Sequence, residues 1–101
     1  MLTHELKRGT LYVYLSGDLD QSCAALTRSR IDDLLAHTGA RRLVLDLSRL
    51  GFMDSSGIGL ILGRYRKLSE QGGELLLKWD GPAVERMLKL SGLTDLIRRQ
   101  A

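Results

Sequence analysis

The run Arg42-Leu43-Val44-Leu45-Asp46-Leu47 restricts the fold of this chain more than any other feature. A half-exposed strand alternates apolar and polar residues, whereas a short continuous apolar run bounded by turn signals reads as a central strand covered on both faces. After the connection Ser48–Asp54, Ile58, Ile61, Leu62, Tyr65 and Leu68 fall on one helical stripe. Gly72-Gly73 stops that helix, and Glu74-Leu75-Leu76-Leu77-Lys78-Trp79 supplies a second apolar strand. A strand, a helix and another strand of this kind make a parallel crossover unit, so the fold class is α/β.

The rest of the chain extends this unit. Leu2–Lys7 and Leu11–Ser16 flank Arg8-Gly9-Thr10, and Leu11, Val13 and Leu15 alternate with Tyr12 and Tyr14, which predicts a β-hairpin. Gly17 closes it. Asp18-Leu19-Asp20-Gln21-Ser22 supplies capping candidates for a first helix, whose apolar positions are Ala24, Thr27, Ile31, Leu34 and Leu35, and Gly39 ends that helix. Asp80-Gly81-Pro82 opens a third helix with Val84, Met87 and Leu88 on its buried face. Gly92 ends it and leaves Leu93, Leu96 and Ile97 for a last short strand or turn. The expectation is one domain over residues 1–101, a mixed β-sheet of four to five strands with helices packed against it.

Composition narrows the chemistry. Fifteen basic against twelve acidic residues give a net charge of +3, scattered along the chain, and the densest basic run is Arg64-Tyr65-Arg66-Lys67. Nucleic-acid binders concentrate such charge on one face, so direct nucleic-acid binding is not expected. Cys23 is alone, which excludes an internal disulfide and favours a reducing cytoplasm. No apolar run reaches the ~20 residues of a membrane span, and the first residues do not resemble a signal peptide, so neither membrane nor export is expected. His4 and His37 lie in no ligand or triad spacing, and no phosphate-binding glycine loop is present, so neither catalysis nor a cofactor nor a metal is indicated. Gly59 and Gly63, four apart, are expected to admit a close neighbour, and Cys23 to act as a small buried hydrophobe.

The segment that invites a functional reading is Phe52-Met53-Asp54-Ser55-Ser56-Gly57-Ile58-Gly59, where the central strand turns into the second helix. Asp54 or Ser55 can serve as an N-cap, accepting an amide hydrogen of the first turn. A serine at a helix N-terminus can equally carry a phosphate, because free amides and the positive end of the helix dipole stabilise the anion.

The stretch Leu45–Tyr65, with Asp54-Ser55-Ser56-Gly57 and Gly63-Arg64-Tyr65 as its most specific parts, resembles the STAS domains of bacterial anti-sigma factor antagonists, including those of sporulation. Leu15–Asp20 and Pro82–Leu93 agree more loosely. The resemblance implies a STAS-type layered domain that is not an enzyme but a switch. Unphosphorylated, such a protein binds an anti-sigma factor that is also a serine kinase, in its ATP- or ADP-bound form, and frees the sigma factor. Phosphorylation at the first serine of the motif, Ser55 here, releases it, and a serine phosphatase resets it. The resemblance implies partner contacts at Asp18, Asp20, Asp54, Ser56 and Gly57. Two departures stand out: Lys78-Trp79-Asp80-Gly81 replaces a more apolar approach to the third helix, and the chain ends at Ala101 where relatives often continue. Two alternatives come from other classes. One is a STAS-type accessory subunit of a signalling or transport assembly, with Ser55 acting only as a cap. The other is a small basic nucleic-acid binder using Arg64, Arg66 and Lys67.

Overall fold

A computed structural model describes residues 1–100. In chain order the elements are β1 (Leu2–Lys7), β2 (Thr10–Leu19), α1 (Ala24–Thr38), β3 (Arg42–Met53), α2 (Ser55–Glu70), β4 (Glu74–Lys78), α3 (Pro82–Leu90), α4 (Leu93–Leu96) and β5 (Arg98–Arg99). The sheet order is β1-β2-β3-β4-β5, with β1 antiparallel to β2 and every other pair parallel. The mixed α/β sheet is thus as expected, with β3 at its centre. The hairpin between β1 and β2 turns through Arg8 and Gly9, both at positive φ (52° and 80°), the geometry of a two-residue turn that matches strand twist.

The helices all cover one face. Leu11, Val13 and Leu15 of β2, Leu43, Leu45 and Leu47 of β3, and Leu75 and Leu77 of β4 form one core with Ile31 of α1, Leu60, Ile61 and Leu68 of α2, Val84 and Leu88 of α3, and Leu93 of α4. The expectation that β3 is covered by elements on both faces is therefore corrected. On the other face Val44 is only 2% exposed, but it lies in a hollow with Tyr12, Arg42, Leu76 and Arg98, under long side chains rather than a second layer. Several of the charges on that face pair with one another. Tyr14 Oη donates to Glu5 (2.6 Å), Lys7 pairs with Glu5 (3.4 Å), and Glu74 pairs with Arg42 (3.1 Å) and Arg98 (3.5 Å).

Local differences from the sequence reading have physical causes. The polar run before α1 does not cap it: the N-cap is Cys23, without a side-chain hydrogen bond to the helix, and its half-buried thiol instead faces the Asp18 carbonyl at 3.2 Å. The stripe of α2 is rotated, with Gly57, Leu60, Ile61, Arg64 and Leu68 buried and Ile58, Leu62 and Tyr65 at the margin. β4 ends at Lys78, and Trp79 lies buried beneath the Arg99 guanidinium, 4.1 Å from the ring centroid. The last segment is both a helical turn, α4, and a two-residue strand, β5.

Candidate functional site

Ser48–Asp54 is not a connection. β3 continues to Met53 and β2 continues through Gly17 to Leu19, although β4 pairs with β3 only as far as Asp46. The two strands therefore run on together as a ribbon beyond the sheet. Its register shifts between Tyr14 and Ser16 and again between Gly17 and Asp18, and Gly17 takes a φ of 84° there, so it belongs to a bulge rather than to the end of a strand. The tip of this ribbon carries the motif.

Asp54 organises the tip. Its backbone amide donates to the Leu19 carbonyl (3.3 Å), Oδ1 accepts the Ser56 amide hydrogen (2.8 Å), and Oδ2 accepts that of Gln21 (3.2 Å). One carboxylate thus caps α2 and ties it to the turn between β2 and α1. The choice left open by the sequence falls to Asp54. Ser55, the first residue of α2, is exposed, and its hydroxyl is free of the cap. Ser56 is half-buried and lines a groove of about 330 Å³ with Gln21, Ala24, Arg28 and Gly59.

Asp20 lies in the adjoining turn, where its Oδ1 accepts both the Ser22 hydroxyl (2.6 Å) and the Ser22 amide (3.0 Å). The hydroxyl bond is the main cause that holds the Asp20 carboxyl below its ordinary pKa, keeping it ionised. Asp18 is exposed on the ribbon itself. The structure therefore brings Asp18, Asp20, Asp54, Ser55 and Ser56 to one end of the molecule. Gly57, expected at the partner surface, lies buried instead. A Cβ built on it would stand 2.5 Å from Met53 Cγ and 3.1 Å from Leu19 Cδ2, so its role is to let α2 close on the ribbon. Gly59 and Gly63, expected to admit a neighbour, face open space.

Other candidates disperse. His4 is exposed on the edge strand β1, and His37 is exposed near the far end of α1. Arg64 is only 8% exposed, with Nε 3.1 Å from Asp32 Oδ1, and Lys67 approaches the same carboxylate at 3.7 Å. Of Arg64, Arg66 and Lys67, Arg64 thus serves the α1–α2 contact and cannot reach a nucleic-acid phosphate. Among the described residues no helix is long and apolar enough to cross a membrane.

Sequence reasoning found the motif but missed Gln21 and Phe52. Gln21 acts through its backbone amide, which no side-chain pattern signals. Phe52 sits in a segment read as a connection, and strand pairing exposes it beside Asp18.

Residues 2–100 match the family model described as the STAS domain. The chain is 43% identical over 93 residues to an anti-sigma F factor antagonist of Paenibacillus polymyxa, covering 92% of this chain and 80% of that protein. It is 31% identical over 87 residues to an anti-sigma-B factor antagonist of Bacillus subtilis, covering 86% and 78%. Among solved structures, the unphosphorylated anti-sigma factor antagonist SpoIIAA superposes with a TM-score of 0.85 at 30% identity, over all of this chain and 89% of that one. The phosphorylated form of the Bacillus cell fate determinant SpoIIAA gives 0.77 at 29% identity, over 100% and 92%. These relatives are regulatory binding proteins rather than enzymes. A central strand running out into a ribbon, an Asp-Ser-Ser-Gly turn capping the next helix and agreement over nearly the whole length converge on one conclusion: the chain belongs to the STAS domain family, alongside its anti-sigma factor antagonists.

Proposed function

We propose that this protein is an anti-sigma factor antagonist switched by phosphorylation at Ser55. In the unmodified state it binds an anti-sigma factor that is also a serine kinase, and so frees a sigma factor in the cytoplasm. The kinase transfers the γ-phosphoryl group of ATP to Ser55 Oγ, leaving ADP, and the modified protein dissociates until a serine phosphatase hydrolyses the ester. The observation that carries this reading is the division of labour at the tip: Asp54 occupies the cap, which leaves the Ser55 hydroxyl exposed at the positive end of a 16-residue helix. The accessory-subunit alternative gave Ser55 only a capping role, and that role belongs to Asp54. The similarity to SpoIIAA in both phosphorylated and unphosphorylated forms supports the same reading.

The proposed binding surface comprises Asp18, Asp20, Asp54 and Ser56, with Gly57 shaping it from beneath. Incubation with the kinase and labelled ATP tests the switch. Wild type and Ser56→Ala are expected to accept label and Ser55→Ala to remain unlabelled. Retained label in Ser55→Ala would overturn the assignment.

A further inference from the structure

We infer that Phe52 is the apolar anchor of the partner interface, inserting into an apolar socket on the anti-sigma factor rimmed by lysine or arginine. This rests on the function proposed above and adds to it the residue and the partner chemistry. In the ribbon, Leu19 pairs with Met53 and Asp18 with Phe52, and registered residues of parallel strands point to the same side. Leu19 and Met53 point into the core and are nearly inaccessible, so Asp18 and Phe52 point outward together. The fold leaves about half of the side chain uncovered. The preceding residue is Gly51, β4 no longer pairs with this part of β3, and Phe52 is left 51% exposed.

Its position makes the exposure informative. Three residues of chain cannot separate Phe52 from Ser55 by more than ~11 Å. An interface of ordinary size, ~800 Å² on each side, centred on one therefore extends far enough to reach the other. The surroundings specify what meets the ring. The chain as a whole carries +3, yet three carboxylates, Asp18, Asp20 and Asp54, gather at this tip, where Arg28 beside Ser56 and Arg49 at the base of the ribbon are the nearby cations, so the edge around Phe52 is chiefly acidic. A desolvated aromatic side chain inside a charged rim is the usual composition of an energetic centre, and the complementary surface is an apolar pocket with basic edges.

The test measures binding of the anti-sigma F factor of Paenibacillus polymyxa, loaded with ADP, by calorimetry with wild type, Phe52→Ala, Phe52→Leu and Leu6→Ala. Leu6 is the control because it is equally exposed, at 50%, but lies beside the hairpin turn at the opposite end of β2. Phe52→Ala is expected to bind about thirtyfold more weakly at an unchanged melting temperature. Phe52→Leu should recover part of the loss, and Leu6→Ala should match wild type. Wild-type binding together with an unchanged Phe52→Ala affinity would overturn this inference and leave the proposed function standing. Failure of wild type to bind would overturn both. Self-association of wild type that is lost in Phe52→Ala would assign the ring to a second copy of this chain and overturn the inference as well.

Discussion

Asp54 and Gln21, thirty-three positions apart, are joined by a 3.2 Å hydrogen bond from the Gln21 backbone amide to Asp54 Oδ2. Because Oδ1 of the same carboxylate caps Ser56, the turn after β2 and the start of α2 are held by one side chain. Removing it leaves two amide hydrogens without that partner.

Asp54→Ala should therefore lower stability by about 1–2 kcal/mol, the range for loss of an N-cap and its hydrogen bonds. Asp54→Asn retains an acceptor oxygen and should cost less. Urea denaturation of the two variants beside wild type checks the order: a cost-free Asp54→Asn would mean that the second bond, to Gln21, adds nothing, and equal losses in both variants would mean that the retained cap adds nothing.

Two glycines of α2 should respond oppositely to alanine. Gly57→Ala forces a methyl against Met53 and Leu19 and should cost about 1–3 kcal/mol, the typical penalty of overpacking. Gly59 is exposed within the helix with open space around it, so Gly59→Ala should stabilise by about 0.5–1 kcal/mol through helix propensity alone. Denaturant midpoints of both variants measure the contrast.

These glycines also mark where sequence reading stops. The spacing of Gly59 and Gly63 suggested a close approach, but the approach occurs at Gly57, and only the packing of Met53 and Leu19 reveals it. The alternation of strands and helices was legible because apolar periodicity reports burial directly, and the Asp-Ser-Ser-Gly turn was legible because capping chemistry is local. The ribbon was not. Arg49, Leu50 and Phe52 pair with Ser16, Gly17 and Asp18 across bulges that leave Ser48 and Gly51 without partners, so neither segment shows the two-residue alternation that announces a strand. Val44 misled for a related reason: an apolar residue between Leu43 and Leu45 reads as covered by a second layer, whereas Tyr12 and Arg42 lie over it from the sheet itself.

The ion pair between α1 and α2 should be asymmetric under mutation. Arg64 is buried, with Nη1 unpartnered among the described residues and Asp32 as its only close anion. Asp32→Ala strands the guanidinium and should cost about 3 kcal/mol, the lower end for breaking a buried pair because Asp32 keeps some exposure. Arg64→Met removes the charge that needs the partner and should be near neutral. Equal destabilisation by both would show that the pair contributes as a unit.

Tyr14 provides a spectroscopic check of the open face. Its hydroxyl donates to Glu5, and that bond to a carboxylate is the main cause that raises the phenol to about 12. A raised folded value means the stabilisation is complete below the unfolded pKa of ~10 and is lost as pH rises from there through about 12. In an ultraviolet titration, one of the three tyrosines should ionise near 12, and that step should vanish in Tyr14→Phe. Glu5→Gln should move it back toward ~10.

Phosphate on Ser55 should act on the partner and not on the fold. The group would lie at the first position of α2, where the helix dipole favours negative charge, and the neighbouring Asp54 carboxylate is already engaged by the Ser56 and Gln21 amides. For the isolated protein the modification should thus be neutral or stabilising by about 0.3–1 kcal/mol. In the complex the dianion and the Asp54 carboxylate beside it are closed off from water together, which sharpens their mutual repulsion. The dianion must also give up hydration against a partner fitted to an uncharged hydroxyl. Affinity for the ADP-bound kinase should fall about a hundredfold or more, ~2.7 kcal/mol, while the thermal melts of modified and unmodified protein nearly coincide. A large drop in melting temperature, or loss of helical circular dichroism on phosphorylation, would instead mean that release proceeds by unravelling the first turn of α2 and its Asp54 cap.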